Sequence, residues 1–321
     1  MIRRSLQTLG KAGAGMVLLA ALMSCAVAVE EPVAPSLKPQ ARPAAPAPPP
    51  VVAKPTSQAS AQLRQYLNQV EQAQLGQGLL RQDGGGTDTP FSADVLARNF
   101  EQIAFYNEYN SAFTGRGGAS PLRRWATPVR MQLIFGDGVP PSQRRKDTES
   151  VKKYAARLGR VTDHSVSFGG TPNFLVIIAS EDDRNAALDI AATRVAGISA
   201  GSLQALRNMR RDTYCAVAAY AAGPDASTYT AAVAVIRSEN PDLLRLSCIH
   251  EELAQGLGLA NDSPGARPSI FNDDDEFALL TRHDELLLKM LYDPRLRPGM
   301  TAQDAAPITR ILARELTGGP L

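Results

Sequence analysis

This chain of 321 residues has little of several things. Long apolar runs are missing: the stretch Met16–Met23 is too short to cross a bilayer as a stable helix. A dominant charge is missing too. Thirty-four Lys and Arg stand against 32 Asp and Glu, a net charge of +2, and they are scattered. With no concentrated basic face carrying aromatic stacking residues, nucleic acid is not expected as a partner. No segment recurs at a fixed period. Histidine is scarce, at three residues: His164, His250 and His283. His164 belongs to no pattern, and His250 has Ala254, not a second imidazole, one helical turn on. Cysteine is equally scarce, with Cys25, Cys215 and Cys248 only.

The N-terminus reads as an export signal over residues 1–24. Arg3, Arg4 and Lys11 precede the short apolar stretch. Leu22-Met23-Ser24-Cys25 resembles a lipobox, in which Cys25 is acylated and becomes the mature N-terminus. Ala26 follows, which suits sorting to the outer membrane. Ala26-Val27-Ala28 offers ordinary signal-peptidase cleavage as the alternative, giving a soluble periplasmic or secreted protein. Acyl chains contribute about 0.8 kcal/mol per buried CH₂ to anchoring. Residues 25–56 then form a tether. Nine prolines between Glu31 and Thr56 fix φ and remove donors, so the segment is expected to be extended. At about 3.1 Å per residue it reaches roughly 80 Å.

Residues 57–86 read as a polar helix with Leu63, Leu67 and Val70 on one stripe, followed by a flexible break at Asp83-Gly84-Gly85-Gly86. Residues 87–321 are left as the folded domain. Ser92 caps a helix, and Val129–Phe135 alternates like a strand. A helix after Pro140-Pro141 is expected to close at Gly159. Its segment from Gln143 to Lys153 is locally basic, either a solvated face or a contact for an anion or lipid headgroup. Ser165–Phe168 and Phe174–Ala179 read as strands. A helix follows from Glu181 to about Gly197, with acids in its first turn. Tyr214–Tyr220 and Tyr229–Ile236 are further strands, and Thr301 caps a last helix to about Leu316. Strands and helices thus intermix ahead of a largely helical tail. The fold class expected is α+β, in one domain large enough for a sizeable core.

The chain is organised around Cys248 to Asp262, on a helix that begins some residues earlier. Asn240-Pro241-Asp242 suits a helix start, with Asn240 as the cap. Leu243, Leu246, Leu253 and Leu257 give an apolar stripe, and Gly256 to Gly258 ends the helix. Glu251 and Gln255 stand four apart on one face. This spacing resembles the metzincin zinc-peptidase signature H-E-x-x-H-x-x-G-x-x-H. Aligned on Gly258, the three metal-ligand positions fall on Glu251, Gln255 and Asn261, and the general base on Glu252. Downstream, Ser269-Ile270-Phe271-Asn272 stands where that superfamily has its Met-containing turn, with Ile270 in place of Met. The segment Leu280 to Tyr292 is similar to its closing helix. The wording His-Glu-Glu-x-x-Gln-x-Leu-Gly-Leu-x-Asn-Asp-Ser is more specific: it resembles a proteobacterial lipoprotein family known only as a domain of unknown function. The resemblance implies a metzincin-like fold with a mixed sheet, an envelope location and a degenerate metal site, and no reaction.

Three readings of these residues stay open. Amide side chains are poor zinc ligands, so the site is either catalytically inert, with no cofactor and a binding or scaffolding role, or altered. In the altered form, Glu251, Asn261, Asp262 and Asp273 or Asp274 bind a divalent cation such as calcium, magnesium or manganese, with Glu252 as base of a peptidase-like hydrolase. The third reading places unrelated chemistry around His250, His283 and a carboxylate. Partners expected are the membrane, through the lipid anchor, and an envelope protein or peptidoglycan. Cys215 and Cys248 are expected to pair in an oxidising compartment, and a catalytic thiol is the alternative. Asn272 to Glu276 reads as the acidic, capped start of a helix over Phe277–Tyr292, with a cation site as the sharper alternative.

Overall fold

Six segments pair into one sheet. Among them are the strands expected from sequence: β2 (Val129–Phe135), β3 (Val166–Phe168), β4 (Phe174–Ala179), β5 (Cys215–Ala221) and β6 (Thr228–Arg237). The sixth, β1 (Arg124–Trp125), is two residues long and gives no periodic signal. The computed structural model describes residues 56–108, 117–221, 226–272 and 274–318. All of them fall in one compact unit, Val51–Leu321. The expected signal, Cys25 and nearly all of the tether lie outside the described residues.

The strand order is β1-β6-β4-β2-β3, and every pair along that path is parallel. β5 runs antiparallel to β6, from Cys215 opposite Ile236 to Ala221 opposite Tyr229. β4 is buried along its whole length because both faces are covered. Phe174, Val176 and Ile178 join the core built with α2 (Ala93–Ala104), α3 (Pro141–Thr162), α6 (Asp242–Gln255), α7 (Arg282–Tyr292) and α8 (Ala302–Thr317). Leu175 and Ile177 face a smaller core with α4 (Arg184–Arg194) and α5 (Ala200–Arg207). The α+β expectation is therefore met in its mixture of elements, while the sheet itself is largely parallel and covered on both faces.

Some local expectations are met, as for the stripe of the first helix, and others need correction. α1 (Gln58–Gly76) is fastened to the domain: Ser60 Oγ donates to Glu239 Oε1 at 2.6 Å, and Leu63 and Leu67 are buried. The glycine stretch after it is no break in the chain's packing. Leu80 N donates to Asp275 O, Arg81 N to Glu276 O, Ala278 N to Arg81 O, and Arg282 N to Gly84 O. α3 continues past Gly159 and ends at Asp163, whose φ of 52° terminates it. α4 begins after the acids. Glu181 turns instead to Arg184 and to the buried Arg237.

The acidic loop does not start a helix at Phe277. α7 begins at Arg282, where Thr281 and Asp284 form a reciprocal capping box that satisfies two backbone N–H groups. Glu276 pairs with Arg81 and Arg267. Asp273 lies outside the described residues, and Asp274 is exposed.

Candidate functional site

β6 leads into α6 through four residues, so the strand sets where the helix begins. Pro241, not Asn240, occupies the N-cap and offers no side-chain acceptor. Asn240 turns inward and donates to Tyr214 O at 3.2 Å and towards Cys248 Sγ at 3.6 Å. Glu71 of α1 supplies the missing cap, accepting from Leu244 N at 3.0 Å. At the other end, Trp125 Nε1 donates to Gly256 O at 2.8 Å and Tyr292 Oη to Leu257 O at 3.0 Å. Two of the carbonyls at the helix end are thus held by aromatic donors. The chain then bends at Gly258, whose φ is +130° and where a Cβ would stand 2.3 Å from Arg123 O.

Cys248, Glu251, Glu252 and Gln255 recur at three- and four-residue spacing on α6. Cys248 is bonded to Cys215 at the start of β5, with the Cα atoms 5.9 Å apart. The expected pairing is present, so neither sulfur is a thiol nucleophile. A carboxylate oxygen of Glu251, one of Glu252 and Cys215 Sγ lie within 4.8 Å of one another. Among the described residues this is the one group of three such donors that close. Glu252 is 4 % exposed, and its Oε2 has no hydrogen-bond partner.

Burial pushes both carboxyl groups well above the usual carboxylate range, because ionising in a poorly hydrated site is costly. Neighbouring charge adds to this. Asp262, Glu252 and Glu108 act on Glu251, and Glu108 and Asp262 act on Glu252. Gln255 Nε2 is 3.3 Å from Asp262 Oδ1 and 3.5 Å from Glu108 Oε2. Glu108 stands far from α6 in sequence, and no spacing rule marks it.

The site residues expected from sequence are only partly brought together. Glu251, Glu252, Gln255 and Asp262 converge. Asn261 does not: its Nδ2 donates to Gln102 O at 2.8 Å, on α2. The two histidines stay apart, each in its own packing contact. His250 Nδ1 accepts from Leu280 N at 3.0 Å, and its ring stacks on Tyr154 at 4.1 Å. Burial, together with the Arg157 charge, lowers its pKa to about 3, so it is neutral near pH 7. His283 is fully buried; its Nε2 lies 3.1 Å from Asn99 Nδ2, and its ring meets Phe91 edge-on. The third reading, chemistry around both histidines, has no geometric support.

Zinc, which the metzincin resemblance implies, does not fit these residues. Two of the three ligand positions carry amides whose N–H groups are directed at oxygens, and the remaining donors are carboxylates. The segment Ser269–Asn272 and the start of α7 are held by Asp284. That buried carboxylate accepts from Ser269 Oγ at 2.5 Å, Ile270 N at 3.1 Å, Thr281 N at 3.0 Å and Thr281 Oγ1 at 2.9 Å.

The model of a family described as "Protein of unknown function (DUF2927)" matches residues 93–311. The chain belongs to this family. The match takes in every strand, the α6 cluster and the Asp284 turn of the DUF2927 domain. No curated protein and no solved structure matches the chain. Among the described residues, no helix is long and apolar enough to cross a membrane.

Proposed function

We propose that this DUF2927 protein is a cell-envelope lipoprotein, held by acylated Cys25, whose domain is a catalytically inactive metzincin-like module. It works by binding or scaffolding at the α6 face, on an envelope protein or on peptidoglycan. One observation carries the inert reading: two of the three metal positions carry amides committed elsewhere, and the neighbouring histidine is committed too. Gln255 and Asn261 spend their amide hydrogens on oxygens, and His250 spends its acceptor nitrogen on Leu280 N. The metzincin likeness is supported by β6 leading directly to α6, by the bend at Gly258 and by the closing helix α7 packed in the same core.

The test of the inert reading is metal content by plasma mass spectrometry on the purified protein, with hydrolysis of peptides and peptidoglycan fragments alongside. The proposal expects no stoichiometric zinc and no turnover. Zinc at one per chain, with hydrolysis lost in Glu252→Gln, overturns it. The anchor has a separate test: Cys25→Ser moves the protein from the membrane fraction to the soluble one. Unchanged membrane association refutes acylation as the anchor.

A further inference from the structure

The Glu251–Glu252 pair has a geometry that the inert reading leaves unused. We propose that these two carboxylates bind a hard divalent cation of the calcium class, next to the Cys215–Cys248 bridge. Their oxygens lie within 4.8 Å of each other. A calcium ion takes carboxylate oxygens at about 2.4 Å, so one ion fits between two oxygens at that spacing. The Oε2 of Glu252 is buried and has no partner, although a polar atom in such a place ordinarily has one.

Two further features favour a hard ion over a soft one, and a third favours any cation. The donors are carboxylate oxygens, which suit calcium, magnesium and manganese. The nearby sulfur is locked in a disulfide and offers no thiolate, the donor that selects zinc or copper(I). Asp262 and Glu108 add negative potential at the pair, and the pair sits in the last turns of α6, where the helix dipole is negative. Glu251 is the less buried residue of the two, and water completes the ion's shell.

This inference rests on the reading that zinc is not held on α6, and the experiment separates the two. The full chain, disulfide intact, is stripped with chelator and titrated with calcium chloride by calorimetry and thermal melting. The expected result is one site per chain and a melting temperature raised by a few degrees at millimolar calcium. Glu252→Gln and Glu251→Gln each weaken binding at least tenfold, and zinc does not displace the calcium. Should Glu252→Gln not fold, Glu251→Gln decides alone. Absence of a calcium response in the wild type overturns the inference, as does undiminished binding in both variants. No calcium response, no zinc and no turnover together leave the inert reading standing. Zinc-dependent hydrolysis with a calcium response confined to Glu251 and Glu252 does the reverse.

Discussion

Leu280 donates its backbone N–H to His250 Nδ1 over 3.0 Å. The histidine of α6 is therefore an acceptor for the segment that leads into α7, with its ring flat on Tyr154. His250→Phe keeps a flat ring but leaves a buried N–H unpaired, which costs about 1–3 kcal/mol. Chemical denaturation at pH 7.5 measures this.

The same residue sets an acid limb. Its folded pKa of about 3 lies below the ordinary 6.5, so the unfolded chain takes up the proton first as pH falls. The stability this neutral ring contributes is complete above about pH 6.5 and is lost progressively towards pH 3. Melting curves from pH 7.5 to 4 in wild type and His250→Phe check it: the variant has the shallower decline.

Glu252 acts in the opposite direction. Its folded pKa is raised, so the folded chain holds the proton longer as pH rises. The stability contribution of the neutral carboxyl is complete below its ordinary value of 4.5 and is lost as pH climbs through the raised one. In chelator, Glu252→Gln is expected to be more stable than wild type at pH 7.5 by about 1 kcal/mol, or ~2–4 °C. At pH 4 the two melt together. A variant less stable than wild type at pH 7.5 contradicts the geometry of the cluster.

Legibility in the sequence followed the locality of the physics. β2, β4 and the caps at Ser92 and Thr301 each depend on a few adjacent residues, and those residues showed them. The Thr281 cap was hidden by the acidic stretch at 272–276, which itself reads as a helix start. The Cys215–Cys248 pair was readable by elimination once Cys25 was set aside. Contacts made across the fold left no such trace. Glu71 capping α6, Trp125 holding Gly256 O and Glu108 reaching the α6 cluster join residues more than a hundred positions apart. Asn240 reads locally as a cap, but tertiary contacts with Tyr214 and Cys248 turn it inward. Asn261 occupies a ligand position by spacing alone, and the turn after Gly258 aims it at α2 instead.

The bridge itself closes a loop with a sequence separation of 33 residues. Replacing Cys215 and Cys248 with Ala removes roughly 3–4 kcal/mol in the chain-entropy account. Urea denaturation of the double variant against oxidised wild type measures the loss.

Asp284 gathers four donors from the turn and the cap of α7. Asp284→Ala strands them in a buried site and costs on the order of 3 kcal/mol. Amide exchange at Ile270 and Thr281 becomes faster than elsewhere in the same helix and turn, which distinguishes loss of this hub from a general loss of stability.

The most direct test of the central claim, that α6 carries no catalytic zinc cradle, is zinc content measured on the disulfide-intact full chain in parallel with peptide hydrolysis. The account predicts zinc well below one equivalent and no turnover above the Glu252→Gln background. One equivalent of tightly held zinc, with turnover that Glu252→Gln abolishes, contradicts it.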